Sequence, residues 1–233
     1  MMNNTLPKAL LFDLDGTLAN TILQLAIAAS KAAIALNIAP PSIEETKGYV
    51  GNGVNMLLAR VIKGKFDIEQ TDVDPVLLQK ARAVFNQEYL KGLDKDYELY
   101  EGVTEGLEYF KSVGIKLAVV TNKPQMFAIP LLKCMGISKY FDYVLAGEVI
   151  DKRKPDPKPI FYTLEQLKVD KNSAWMIGDS DNDIIAANNA GIPSVFFTYG
   201  YNRGDSKKMH YDYKFDKFSQ LTDLIKKLQQ QKV

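Results

Sequence analysis

Short apolar runs punctuate the chain at Ala9 to Phe12, Lys116 to Val120, Tyr143 to Leu145, Ala174 to Ile177 and Ser194 to Phe197. Runs this short read as strands. Helix-like segments separate the last four, and apolar stripes at helical spacing run through Val103, Leu107 and Phe110, through Phe161, Leu164 and Leu167, and through Ile184, Ala187 and Ala190. Gly114, Gly136 and Gly191 fall where helix C-terminal caps belong. Strands alternating with helices predict an α/β fold, a doubly wound, Rossmann-like parallel sheet covered on both faces.

From about Asn20 to about Asp94 the rhythm changes: no clear strand appears and several helical patterns follow one another. The first would bury Ile22, Leu25, Ala29, Ala32 and Leu36; Ser42 and Glu45 form a capping box; Asp74 before Pro75 starts a helix through Leu77, Ala81, Val84 and Phe85. Gly51-Asn52-Gly53 separates two of these helices. The expected organisation is therefore a core of residues 1–19 and 95–233 with an all-helical insertion at 20–94.

Composition narrows the function without naming it. Lys plus Arg (29) nearly cancel Asp plus Glu (28), and no dense basic run with interleaved aromatics occurs, so no nucleic-acid partner is expected. The polar start Met1-Met2-Asn3-Asn4 lacks the regions of a secretion signal, and Lys31 interrupts the apolar stretch after Leu25, so neither export nor membrane insertion is expected and the chain reads as cytoplasmic. The single cysteine, Cys134, forms no internal disulfide and, beside Leu131, Leu132 and Met135, reads as a buried thiol.

The polar residues fall at one edge of the expected sheet. Asp13 and Asp15 follow the first strand, Thr121 and Asn122 the second; Lys154 lies beyond the third and Asp179 follows the fourth. Ligands of open parallel sheets bind at the carboxyl ends of strands, so these segments converge on one crevice. Two adjacent carboxylates repel unless a cation or proton joins them, and Asp179 completes an oxygen-rich set suited to Mg²⁺. Phosphoryl transfer needs an in-line nucleophile, positive charge around the phosphoryl oxygens and a proton for the leaving oxygen. Asp13 suits the nucleophile and Asp15 the acid/base. Thr121 and backbone N–H groups near Asn122 would hold the transferring oxygens, with Lys154 offsetting the negative charge. Asp183, one turn after Asp179, would meet the metal through water or orient another ligand; its bland alternative is a surface acid near a helix start.

Asp13-Leu14-Asp15-Gly16-Thr17, Thr121-Asn122, Lys154-Pro155 and Gly178-Asp179-Ser180-Asp181-Asn182-Asp183 resemble the four motifs of the haloacid dehalogenase-like phosphatases. The resemblance implies a mobile cap formed by the helical insertion, an aspartyl-phosphate on Asp13, and a metal held by the Asp13 side chain, the Asp15 backbone carbonyl and Asp179. Val50-Gly51-Asn52-Gly53, Val119 to Pro124, Arg153-Lys154-Pro155 and Thr198 to Asn202 resemble the phosphoglycolate phosphatase branch, which implies a small phosphorylated metabolite as partner. Asn20, where that family often has Asp, and Asp181, where a non-acidic residue is usual, depart from it. Other phosphate esters, sugar phosphates or pyrophosphate are the alternative substrates. A sugar phosphomutase, which similar sequences with Val at the position of Thr17 represent, and an inactive binding relative are the alternative functions. A monomer and a homodimer are both compatible with the sequence.

Gly51 and Asn52 either form an ordinary turn or offer backbone N–H groups to an anionic substrate. Arg60 and Lys63 read as solvated charges, Asp181 as an acid serving its helix end, Trp175 as sheet core, and His210 and the Tyr199 to Asn202 loop as bystanders.

Overall fold

The computed structural model describes residues 5–201 and 209–231; Met1 to Asn4 and Asn202 therefore lie outside the described residues. Strands β1 (Ala9–Phe12), β4 (Lys116–Pro124), β5 (Tyr143–Gly147), β6 (Ala174–Gly178), β7 (Ser194–Phe197) and β8 (Tyr213–Phe215) form a six-stranded sheet in the order β5-β4-β1-β6-β7-β8. Every pairing is parallel. The five expected strands are all present, and β4 and β5 run on past their apolar runs. The sixth, β8, was not legible: its three residues are only partly buried, and as an edge strand it needs no apolar alternation.

Period-two alternation gives the sheet two apolar faces. Leu10, Phe12, Leu117, Val119, Trp175 and Ile177 face α5 (Val103–Ser112), α6 (Gln125–Cys134) and α9 (Phe218–Gln230), whereas Ala9, Leu11, Ala118, Val120 and Met176 face α7 (Lys158–Leu167) and α8 (Asp181–Ala190). Phe12 is fully buried between the rings of Phe110 and Phe218, burial worth about 1.5–3 kcal/mol for such a side chain. Two apolar assignments are corrected. In α7 the buried stripe is Ile160, Thr163, Leu164 and Leu167, which leaves Phe161 exposed; Thr163 tolerates burial because its hydroxyl donates to Pro159 O. Cys134 is exposed, because α6 buries Phe127, Ala128, Leu131 and Leu132 and Cys134 lies about a quarter turn off that face.

Between β1 and α5 stand α1 (Ile22–Ala35), α2 (Ile43–Tyr49), α3 (Val54–Lys63) and α4 (Pro75–Lys91). The Ser42–Glu45 capping box starts α2, and Asp74 caps α4 by accepting from Val76 N. The face that α4 buries is Leu78, Ala81, Phe85 and Tyr89, with Leu77 and Val84 half-buried at its margin. The chain leaves the sheet through β2 (Ala19–Asn20) and returns through β3 (Glu98–Leu99), and these pair antiparallel, so both connections run side by side. Phe85 and Tyr89 pack on Phe127 of α6, and this joins the helical layer to the sheet beside the strand ends. No helix among the described residues is long and apolar enough to cross a membrane.

Candidate active site

Asp13 is the first residue past β1, and its N–H still donates to Ile177 O at 2.9 Å. Leu14 is fully buried, which leaves the carboxylates on either side of it directed away from the core. Gly16 then turns the chain at φ +90°, where a Cβ would lie 2.4 Å from Asp179 Oδ2. Glycine thus serves both the backbone conformation and the close approach of a carboxylate from β6. Thr17 Oγ1 donates to Asp179 Oδ1 at 2.6 Å, and Tyr201 N donates to Asp179 Oδ2 at 2.7 Å.

Lys154 is 1% exposed, although it arrives from a long loop after β5. The Asn122 side chain fixes it there, accepting from Lys154 N at 3.0 Å and donating to Lys154 O at 2.8 Å. Its ammonium donates to Val120 O and reaches Asp13 Oδ1 at 2.9 Å and Asp183 Oδ1 at 2.7 Å. Those three acceptors use all three N–H groups of an ammonium. Burial opposes the charge, yet Asp13 and Asp183 together raise the lysine pKa. Asp183 is no surface acid: it is fully buried, and its Oδ2 accepts from Ser180 N and Ser180 Oγ to close the N-terminal capping box of α8.

Asp13, Asp179 and Asp183 each offer a carboxylate oxygen, and the three oxygens lie within 4.8 Å of one another. Desolvation raises the pKa of Asp13 to about 6, against the pull of Lys154 and with the help of Asp183. Asp179 is pushed well above the usual carboxylate range by burial, then by Asp183 and Asp13. Such crowding of hard oxygen donors fits a hard divalent cation, whose charge would relieve the repulsion. The Asp15 side chain stands outside this group. Its Oδ1 accepts from Thr21 Oγ1 at 2.6 Å, and the Lys123 ammonium lies 2.9 and 3.0 Å from its two oxygens.

The helical layer closes the site from the opposite side. Gly51 and Asn52 share a cavity of about 110 Å³ with Asp13, Asp15, Thr121 and Lys154. Gly51 O accepts from Asn122 Nδ2 at 2.9 Å and Asn182 Nδ2 at 3.2 Å, and Asn52 Nδ2 donates to Asn182 Oδ1. Arg60 is not the solvated charge expected of it. It is buried and donates to Tyr49 O, Asn52 Oδ1 and Phe66 O, so its guanidinium supports the 51–53 loop from behind. Lys63 is exposed, as are Asp181 and His210, and Trp175 is sheet core. Asp181 Oδ1 accepts from Asn182 N at the start of α8.

Thr121 is buried beside the cavity, and its hydroxyl accepts from Lys123 N. The residues that sequence reasoning passed over are Lys123, Thr21, Thr17 and Tyr201. Lys123 sits within the Thr121 to Pro124 motif and is 5% exposed. Tyr201 is no bystander, since its hydroxyl accepts from Thr21 N at 2.6 Å and donates to Asn20 Oδ1 at 2.9 Å. The segments carrying Thr17, Lys123 and Tyr201 are visible as motifs in the sequence, that of Thr21 is not, and the partners of all four required the fold.

A family model described as haloacid dehalogenase-like hydrolase matches residues 10–197. The chain is 42% identical over 84% of its length to a phosphoglycolate phosphatase of Thiobacillus denitrificans, covering 86% of that protein. It is 40% identical over 94% of its length to one of Photobacterium profundum, covering 96% of it. Among solved structures, that of a predicted phosphoglycolate phosphatase from Haemophilus somnus 129PT superposes with a TM-score of 0.85 at 32% identity, covering 96% of this chain and 99% of the other.

Proposed function

The chain belongs to the haloacid dehalogenase-like hydrolase family, and from that premise we propose that it is a magnesium-dependent phosphomonoesterase that converts 2-phosphoglycolate to glycolate and phosphate. The observation that carries the reaction class is the meeting of Asp13, Lys154, Asp179 and Asp183 at the carboxyl edge of one sheet. The relatives supply the substrate.

Asp13 Oδ attacks phosphorus while the bond to the leaving alcohol breaks, and Asp15 gives that oxygen its proton. Asp15 then takes a proton from the water that attacks the same phosphorus, the Asp13–phosphorus bond breaks, and phosphate leaves. Thr121 holds the phosphoryl oxygens, Lys154 offsets the negative charge gathered there, and Asn122 acts through Lys154 by fixing its backbone. Asp13 and Asp179, with the Asp15 carbonyl, would hold Mg²⁺, and Asp183 would orient them or share in the binding. The metal supplies charge neutralisation for the phosphate oxygens. Residues 20–94 serve as a cap that brings Gly51 and Asn52 onto the substrate and excludes water.

Steady-state assays over a panel of 2-phosphoglycolate, sugar phosphates, nucleotides and pyrophosphate, with and without EDTA, test this reading. The highest kcat/KM is expected for 2-phosphoglycolate, with loss of activity in EDTA. Equal efficiency across the panel would refute the substrate, and absence of Mg²⁺-dependent release from every ester would refute the reaction class.

A further inference from the structure

Hydrolysis at this site requires something to recognise the part of the ester that leaves, and the cavity holds two cations with different commitments. Lys154 spends its N–H groups on Asp13, Asp183 and Val120 O. Lys123 is paired with one carboxylate, Asp15, at 2.9 and 3.0 Å, and its Nζ lies 4.5 Å from the centroid of the Tyr89 ring. That ring belongs to α4 and is itself fixed, since Tyr89 OH donates to Gln24 Oε1 at 2.9 Å. The ammonium therefore stands between the proposed acid/base and the helical layer, on the side where the leaving alcohol must sit. The other nearby cations do not line the cavity: Arg60 is bound behind the loop, and Arg153 donates to Asn52 O from outside it.

Resting on the phosphatase reading above, we propose that Lys123 is the specificity-determining residue that binds an anionic group on the leaving alcohol, so that the site selects phosphate esters of hydroxycarboxylates. A carboxylate one carbon away from the ester oxygen that Asp15 protonates falls within reach of the ammonium that Asp15 contacts. The aromatic face of Tyr89 holds the charge in place and leaves its remaining donor capacity for the substrate. An ester with an uncharged alcohol gains nothing from this arrangement.

The test compares 2-phosphoglycolate with 2-hydroxyethyl phosphate, which keeps the two-carbon skeleton and lacks the carboxylate, in the wild-type enzyme, K123M and K123R. The wild type is expected to prefer 2-phosphoglycolate by roughly a hundredfold in kcat/KM. K123M is expected to reduce that preference to near one, chiefly by raising KM for 2-phosphoglycolate. K123R, which keeps the charge, is expected to retain part of the preference. Loss of the Lys123–Asp15 contact affects both esters alike and cancels in the ratio, so a merely structural role leaves the ratio unchanged. A wild-type ratio near one would overturn both the substrate reading and this assignment. A high wild-type ratio that survives in K123M, or that collapses equally in K123R, would overturn the role of Lys123 alone.

Discussion

The Lys154 ammonium stands 2.9 Å from Asp13 Oδ1, with side-chain exposures of 2% and 14% respectively. A buried cation thus meets the one acid of the cluster that is only half-buried. The same ammonium is bound to Asp183, so the contact connects the nucleophile candidate to the start of α8.

Replacing Lys154 tests that connection. Lys154→Met fills similar volume but leaves Asp13 and Asp183 without their counter-charge, and breaking a buried pair in this way costs about 3–5 kcal/mol. Urea unfolding is expected to show a loss of that size. Turnover is expected to fall by ~10²–10³-fold, as for removal of one transition-state charge partner. Unchanged stability together with unchanged kcat would remove Lys154 from the site.

Gly200 offers a way to move Asp179 without touching it. A Cβ at Gly200 would lie 2.2 Å from Asp179 Oδ2, so Gly200→Ala must displace that carboxylate. The Mg²⁺ concentration for half-maximal activity is expected to rise by about tenfold or more, in the range seen when groups supporting a metal ligand are altered. An unaltered Mg²⁺ titration would mean that Asp179 does not hold the metal.

The crowded acids also predict how stability changes with pH. Asp13 has an ordinary pKa of 3.8 and reaches about 6 in the fold through desolvation, and Asp179 is raised as well. A raised acid means that the folded state binds more protons than the unfolded state between those values. Stability of the metal-free protein therefore falls as pH rises from about 4 to about 6, and the loss persists above that. Mg²⁺ competes with the same protons, so its stabilising effect grows over this interval. Thermal unfolding with EDTA or Mg²⁺ across this range is expected to show the two curves diverging with pH; parallel curves would contradict metal binding at these acids.

Much of this site is legible in the sequence. Asp13, Thr121 and Asp179 are legible because each follows an apolar run, and β1, β4 and β6 bring those runs into register, with Phe12 opposite both Val119 and Ile177. Asp183 was visible through its spacing from Asp179, but its double use was not: one oxygen caps α8 and the other meets Lys154. Polar residues whose partners lie far along the chain gave weaker signals. Arg60 read as solvated because charge predicts exposure, whereas three specific acceptors make its burial affordable. Lys123 carried no separate signal, since only the fold places it on Asp15 and under Tyr89. Among apolar residues, Phe161 and Cys134 were misplaced because a stripe shifted by one position or a quarter turn has nearly the same periodicity in a short helix.

The account rests above all on Asp13 as the nucleophile, and covalent capture tests it directly. Enzyme mixed with ³²P-labelled 2-phosphoglycolate and Mg²⁺, quenched in acid during turnover and reduced with borohydride, should yield homoserine at position 13 upon peptide mapping. Asp13→Asn should show neither label nor turnover, and Asp15→Asn should still accept some label while releasing phosphate slowly. Reduction at another acid, or continued turnover by Asp13→Asn with no labelled enzyme, would contradict the mechanism.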